Sequence, residues 1–317
     1  MVVLENIAAH STARDYLLGE NVLPILLRGL KIETESHALE TIWQTIDLLC
    51  KWGDSPPPLD LILPAVPFLQ QLLTSIDVYT LCNACDIVRA FLKVEGFPER
   101  MTMEFVKLVV KILETHSHKS VLSYALLVIS YLAAGSELET EIVIRCGGIG
   151  ITKRLLEECS HIIIKQEACV IFSNIMCGPV EQIEQLEKAG VIESLISYLQ
   201  DDSPLIRTEA AWAIANLMQN GTLPQIQRAV EMGGIHAMCK LLKDPSEKTI
   251  EVTLEGFIHF LKQGEALKED RNRNPHILAI EAISGDFYES LSNVPHLENA
   301  KIIALLNTLK QSFDKNK

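Results

Sequence analysis

Glu209, Trp212 and Asn216 are spaced three and four residues apart, so in a helix they share one face. Their chemistries complement one another. An indole face packs methylene stems and attracts cations, each such contact contributing about 0.5–2 kcal/mol. An amide side chain offers both a donor and an acceptor. A carboxylate takes a charged head through a charge-assisted hydrogen bond. The pattern also occurs 42 residues earlier. Lys165-Gln-Glu167-Ala168-Cys-Val170-Ile-Phe-Ser-Asn174 matches Arg207-Thr-Glu209-Ala210-Ala-Trp212-Ala-Ile-Ala-Asn216. A basic residue, Glu, Ala and a final Asn fall at the same places, with Val170 where the second copy has Trp. A helical period of about 40 to 47 residues is the signature of stacked helical repeats.

The period extends along the chain. Val2, Trp43, Asp86, Leu127, Val170, Trp212 and Glu255 form one ladder, and Asn6, Asp47, Ala90, Tyr131, Asn174, Asn216 and His259 form a second, four residues on. Two residues before the first ladder stand Thr41, Ala84, Ala125, Ala168, Ala210 and Thr253. Small residues are required where helices approach closely, because a large side chain would clash. Gly148, Gly190 and Gly234 each follow a helical stretch and precede an apolar one, so left-handed helix caps are expected there. Amphipathic segments come next, such as Leu23-Pro24-Ile-Leu26, Val66-Pro67-Phe-Leu69 and Ile192-Glu-Ser-Leu195-Ile196. Proline is tolerated in the first turn of such a helix. A polar turn, Asp201-Asp202-Ser203-Pro204 in one unit, then leads into the long helix that carries the ladders.

Each unit thus reads as a short, a medium and a long helix. Stacking buries faces that one unit cannot bury alone, and it leaves a concave surface lined by the third helices. Ser55-Pro56-Pro57-Pro58 reads as a rigid loop between units, and Glu265 to Asn274 as a charged loop. The remainder, to about Phe313, reads as an atypical capping pair of helices, with residues 314–317 frayed. Met1 to Ala9 reads as a leftover third helix. Its apolar Val2, Val3, Leu4 and Ile7 lack a covering repeat, so fraying or self-association is expected there.

At 317 residues the chain exceeds a usual single core, which leaves two domains or an elongated array. Hydrophobic residues make up 48% and aromatics only 6%, so aliphatic side chains and Ala carry the core, as suits packed helices. The net charge of −13 disfavours nucleic acid and anionic membrane and suits a basic partner. No apolar run is long enough for a transmembrane helix, and the N-terminus lacks a signal-peptide pattern. Eight scattered cysteines fit reduced thiols in cytosol or nucleus.

Other motifs read blandly. Cys82-x-x-Cys85 falls within a long helix without a second pair, and a zinc site needs four ligands, so it reads as packing. His116-Ser-His118 reads as a solvated turn. Gly147-Gly148-Ile149-Gly150 lacks the Gly-Lys-Ser/Thr of a phosphate loop and reads as a helix cap. The sequon Asn220-Gly221-Thr222 reads as a loop. No nucleophile–base–acid set is visible. The chain is read as non-catalytic, with no cofactor and no metal.

These residues resemble the armadillo repeats of importin-α (karyopherin-α), strongest over residues 162–265 and 43–73. The family's long helices carry a Trp and an Asn four residues apart, with an acid three before the Trp. Glu209, Trp212 and Asn216 match all three. Glu167 and Asn174 match with Val170 in place of Trp, and Glu40 and Trp43 match with Asp47 in place of Asn. The resemblance implies an all-α armadillo-repeat right-handed superhelical solenoid. It comprises a remnant helix at 1–8, about six repeats over 9–262 and a cap over 263–313.

By this alignment the chain begins inside the family's third repeat, without the basic importin-β-binding arm. In the major groove, Val2 replaces a Trp, Asn6 is retained and His10 stands where an acid would hold the key lysine. The minor groove is complete in length, with Leu127 and Tyr131 in its first unit and Glu137 near the family's acid.

The resemblance implies a nuclear import adaptor that binds basic nuclear localisation signals, shuttling between cytoplasm and nucleus. Its peptide-binding residues are Glu167, Asn174, Glu209, Trp212, Asn216, Glu137, Trp43, Glu40, Asp47 and Asn6. Importin-β is not expected to bind through the usual arm. The C-terminal repeats imply contact with the family's export receptor. Asp86, Leu127 and Val170 on the Trp ladder favour the alternative, a degenerate armadillo interaction scaffold or truncated relic that binds no basic signal.

Overall fold

A computed structural model describes residues 11–30, 36–50, 55–97, 99–266, 274–283, 286–296 and 298–314. They form an all-α solenoid, and no strand occurs among them. The expected helix at Met1–Ala9, with Val2 and Asn6, lies outside the described residues, as do His10 and Trp52. The chain divides into two compact units. Unit one comprises residues 1–132 and 145–151, and unit two comprises 133–144 and 152–317.

Unit one contains α1 (Ser11–Gly19), α2 (Val22–Gly29), α3 (Ser36–Cys50), α4 (Leu59–Ile62), α5 (Val66–Leu72), α6 (Val78–Phe91), α7 (Glu99–Thr115) and all but the last residue of α8 (Lys119–Ala133). The triproline segment before α4 is extended as expected, with Pro58 at ψ 141°. Asp77 starts α6 by accepting the Thr80 N–H at 2.7 Å, a favourable N-cap. Leu81, Ala84, Cys85, Val88 and Phe91 of α6 are buried.

The short–medium–long pattern fails at one place. Residues 92–97 form turns around Gly96, whose φ is 76°. A single 17-residue helix, α7, then replaces the two shorter ones. The reason is the sequence of α7, which buries Phe105, Val106, Val109, Val110 and Leu113 along one continuous face.

α9 (Glu137–Arg145) and α10 (Gly148–Glu158) are divided between the units. The rest of unit two holds α11 (Ile162–Ile175), α12 (Val180–Lys188), α13 (Val191–Tyr198), α14 (Pro204–Asn220), α15 (Leu223–Glu231), α16 (Gly234–Leu241), α17 (Glu247–Ala266), α18 (Pro275–Ile283), α19 (Asp286–Ser292) and α20 (Ala300–Asp314). The long helices α11, α14, α17 and α20 pack side by side in that order. Ala168, Ala210 and Thr253 are fully buried at their contacts. At Gly256 the approach is closer still. A methyl group there would meet Met238 Cε at 2.6 Å and the Ala215 Cα at 3.3 Å.

The expected left-handed glycine is found at Gly190 (φ 70°). In the other two units it falls one residue earlier than expected, at Gly147 (φ 85°) and Gly233 (φ 86°). Gly148 and Gly234 instead begin the next helices. The first glycine of each pair leaves the old helix, so the second is free to start the new one.

Two repeat-related turns precede α14 and α17. Asp201 accepts the Ser203 N–H and Asp244 the Ser246 N–H, each at 2.8 Å. Arg207 ties the turns together, donating to Asp244 Oδ2 at 2.7 Å and to the carbonyls of Asp201 and Asp202.

The C-terminal end has three helices, α18 to α20, rather than the expected pair. Glu265 and Ala266 extend α17 rather than opening a loop. Buried Asn274 donates to the Leu261 carbonyl at 2.9 Å, and His276 stacks on Phe260 with ring centroids 4.0 Å apart.

The close packing at Ala210 generates a direct prediction. Ala210→Leu lowers stability in urea unfolding by about 1–3 kcal/mol, because the added carbons force neighbouring helices apart. Ala304→Leu, on an exposed position of α20, changes it by no more than about 0.5 kcal/mol. Equal effects of the two substitutions would refute the packing argument.

Candidate functional site

In unit two, three adjacent long helices supply the expected constellation. α11 carries Gln166, Glu167, Val170 and Asn174, and α14 carries Glu209, Trp212 and Asn216. All seven are partly solvent-accessible. α17 adds Lys248, whose ammonium nitrogen lies 5.1 Å from the Trp212 ring centroid. A cation in that position is attracted by the indole quadrupole.

Burial pushes the Glu209 carboxyl above its usual pKa. A hydrogen bond from Gln166 and the charge of Lys248 oppose this, while the charge of Glu167 reinforces it. The basic residues two positions before each glutamate are engaged elsewhere. Arg207 pairs with Asp244, and Lys165 donates to the Tyr198 hydroxyl at 3.2 Å.

Asn216 departs from its expected role. Its amide nitrogen donates to the Ser173 carbonyl at 3.0 Å and lies 3.1 Å from the Ser173 hydroxyl. Its donor therefore ties α14 to α11 and is not offered to a ligand. The Asn174 side chain makes no hydrogen bond among the described residues. It lines a cavity of about 620 Å³ with Glu137, Thr140, Cys177 and Gln182. Gln182 donates to the Glu137 carbonyl at 2.9 Å, which fixes the start of α9. The structure thus joins Glu137 and Asn174, two expected site residues distant in sequence.

Unit one has its own cavity, of about 340 Å³, lined by Trp43, Asp47, Asn83, Asp86, Ala90 and Lys93 among others. Trp43 differs from the expectation of an open indole face. It is only 4% exposed, and it meets Tyr79 edge to face at a centroid distance of 6.1 Å. Asp86 is paired with Arg89 one turn later. Glu40 is exposed and accepts weakly from Gln44 at 3.4 Å. Leu127 is exposed and Tyr131 half-buried.

Cys82 and Cys85 are both buried in α6. Desolvation pushes the Cys85 thiol up to about 12, as suits a packing residue. Asn220 of the sequon donates to the Met176 carbonyl at 3.1 Å from the end of α14. Among the described residues no helix is long and apolar enough to cross a membrane.

Sequence reasoning missed Lys248, Gln166 and Gln182. None of the three left a usable signal, because each depends on which neighbouring helix its side chain meets.

Comparison with known proteins places the chain among armadillo proteins. The model of the SIL1/FES1/HPBP1 C-terminal domain matches residues 139–316. Importin subunit alpha-8 of Arabidopsis thaliana is 35% identical over 151 residues, 47% of this chain and 33% of that protein. Importin subunit alpha-2 of the same plant is 35% identical over 26% of this chain and 15% of its own length. The chain therefore spans about a third or less of the curated relatives it matches.

Among solved structures, a designed armadillo-repeat protein in complex with the peptide (KR)4 superimposes with a TM-score of 0.66 at 24% identity. That match covers 78% of this chain and 99% of the designed one. An engineered protein superimposes with a TM-score of 0.71 at 20% identity, covering 99% of this chain and 74% of its own. With a family match over residues 139–316, more than half its length, the chain belongs to the SIL1/FES1/HPBP1 C-terminal domain family and is a divergent, importin-α-like armadillo-repeat protein.

Proposed function

We propose that unit two binds an extended basic peptide on its long helices, as an importin-α-like receptor for basic nuclear localisation signals. One observation carries this reading. The Trp212–Glu209 surface already holds an ammonium group, that of Lys248, over the indole ring. A peptide lysine presents the same chemistry. Glu167 and Glu209 supply the negative field, and the cavity lined by Asn174 and Glu137 accommodates a second basic side chain. With one accessible ladder Trp, binding is micromolar and salt-sensitive, since exposed charge pairs are screened. Partners of this kind place the protein in both cytoplasm and nucleus. The terminal helices α18–α20 are the corresponding candidate for export-receptor contact. The protein acts by binding, without catalysis.

A second reading is favoured by Asn216. Because its donor holds Ser173, Asn216 of α14 can offer a peptide only its acceptor oxygen. The same helices would then serve as a scaffold for a partner other than an extended basic chain.

Fluorescence anisotropy with a labelled peptide of consecutive Lys and Arg residues separates the two. Trp212→Ala weakens binding by at most about 30-fold, the ceiling for one cation–π contact, and a Lys→Ala control peptide does not bind. A folded chain that ignores the basic peptide at low salt supports the scaffold reading.

Glu209 predicts opposite pH dependences for binding and stability. Its raised pKa means that the folded state holds the proton more tightly than the unfolded state, so stability falls as pH rises through that window. A cation needs the ionised form, so affinity falls as pH drops through the same raised pKa. Glu209→Gln is expected to be at least as stable as wild type at neutral pH, to bind the peptide more weakly there, and to lose this component of the acidic decline. A binding pH profile unchanged by Glu209→Gln would exclude Glu209 as a cation ligand.

A further inference from the structure

We propose that Lys248 and Lys301 are built-in occupants of the cation sites on α14 and α17, so that an incoming basic peptide is confined to α11 and the Glu137 cavity unless Lys248 is displaced. This inference rests on the peptide-binding reading above. Both lysines are the second residue of a long helix, and both reach back to the long helix before. Lys248 of α17 lies over Trp212 of α14. Lys301 of α20 pairs with Glu251 and Glu255 of α17, each at 3.0 Å. Glu255 is the ladder residue 43 positions after Trp212, so the two contacts are the same device in successive repeats. The second residue of α14 is Leu205, exposed and apolar. It brings no charge to α11, and Glu167 there forms no ion pair among the described residues.

The two occupants are held differently. Lys301 bridges two carboxylates, and Asn299 beside it donates to Glu247 at 2.8 Å, so the α17 site stays closed. Lys248 is exposed, and its contacts are the indole face and the field of Glu209. A peptide lysine can replace it one for one. The intact surface therefore gains little from a long run of basic residues, because each new contact on α14 first costs the internal one. A short basic cluster that reaches α11 alone faces no such competition.

The test uses the full chain and two labelled peptides, one with two consecutive arginines between Gly/Ser flanks and one with six consecutive lysines. Lys248→Ala is expected to tighten the six-lysine peptide about 3- to 10-fold while the short peptide changes less than 2-fold. Lys243→Ala, in the exposed turn before α17, controls for loss of one positive charge. In parallel, NMR follows the Lys248 ε-methylene signal. Ring-current shielding by Trp212 moves it upfield in the free protein, Trp212→Ala abolishes the shift, and saturating six-lysine peptide reverses it. If wild type binds both peptides but Lys248→Ala gains no more than Lys243→Ala, the occupancy proposal is overturned and the peptide-binding reading stands. An unshifted Lys248 signal in the free protein also overturns it. If the shift is present but neither wild type nor Lys248→Ala binds either peptide, the peptide-binding reading fails, and the proposal falls with it.

Discussion

Unit two depends on the close approach of its long helices. Ala168, Ala210 and Thr253 are fully buried where α11, α14 and α17 meet, and Gly256 faces the α14 backbone with no room for a methyl group. Interiors packed at crystal-like density do not tolerate extra atoms at such points. The small residues therefore fix the rotation of each helix about its axis. Once that rotation is fixed, residues two and six positions later must face away from the contact. Trp212, Asn216 and their counterparts in unit two reach solvent for that reason, and the repeat period follows from the same constraint.

The same faces serve two competing ends. Side-chain amides tie α14 and α17 each to carbonyls of the long helix before. Asn216 donates to Ser173, Asn220 to Met176, and Gln263 to Gln219. The last two satisfy carbonyls near helix ends, which have no intrahelical partner. Each such bond contributes roughly 0.5–1.5 kcal/mol net. An amide used in this way no longer offers its donor to a peptide carbonyl. Charges show the same division. Arg207 is committed to the buried turn at Asp244, which leaves Glu209 half-buried, destabilised as an anion and receptive to a mobile cation.

Much of the fold was legible in the sequence because it follows from spacing. The 42-residue echo, the small-residue ladder and the shared face of Glu209, Trp212 and Asn216 are local facts that helical geometry converts into structure. What was not legible depends on neighbours. The burial of Trp43 requires Tyr79 from the next long helix. The donor of Asn216 is lost to Ser173, a residue whose partner no spacing rule names. The glycine caps missed by one residue because a Gly-Gly pair offers two left-handed positions and the helix ends decide between them. A flexible four-carbon stem let Lys248 reach Trp212 from a helix position that carries no such signature. Membership in the SIL1/FES1/HPBP1 C-terminal domain family rests on residues 139–316 as a whole and was hidden behind the more conspicuous ladder.

That the outward ladder of unit two is the ligand surface is tested most directly by amide hydrogen exchange with and without a basic peptide. Slower exchange is expected over residues 133–140, α11 and α14 on peptide addition, with the outer helices α15 and α16 unchanged. Slowing confined to α15, α16 or α18, with α11 and α14 unaffected, would contradict it.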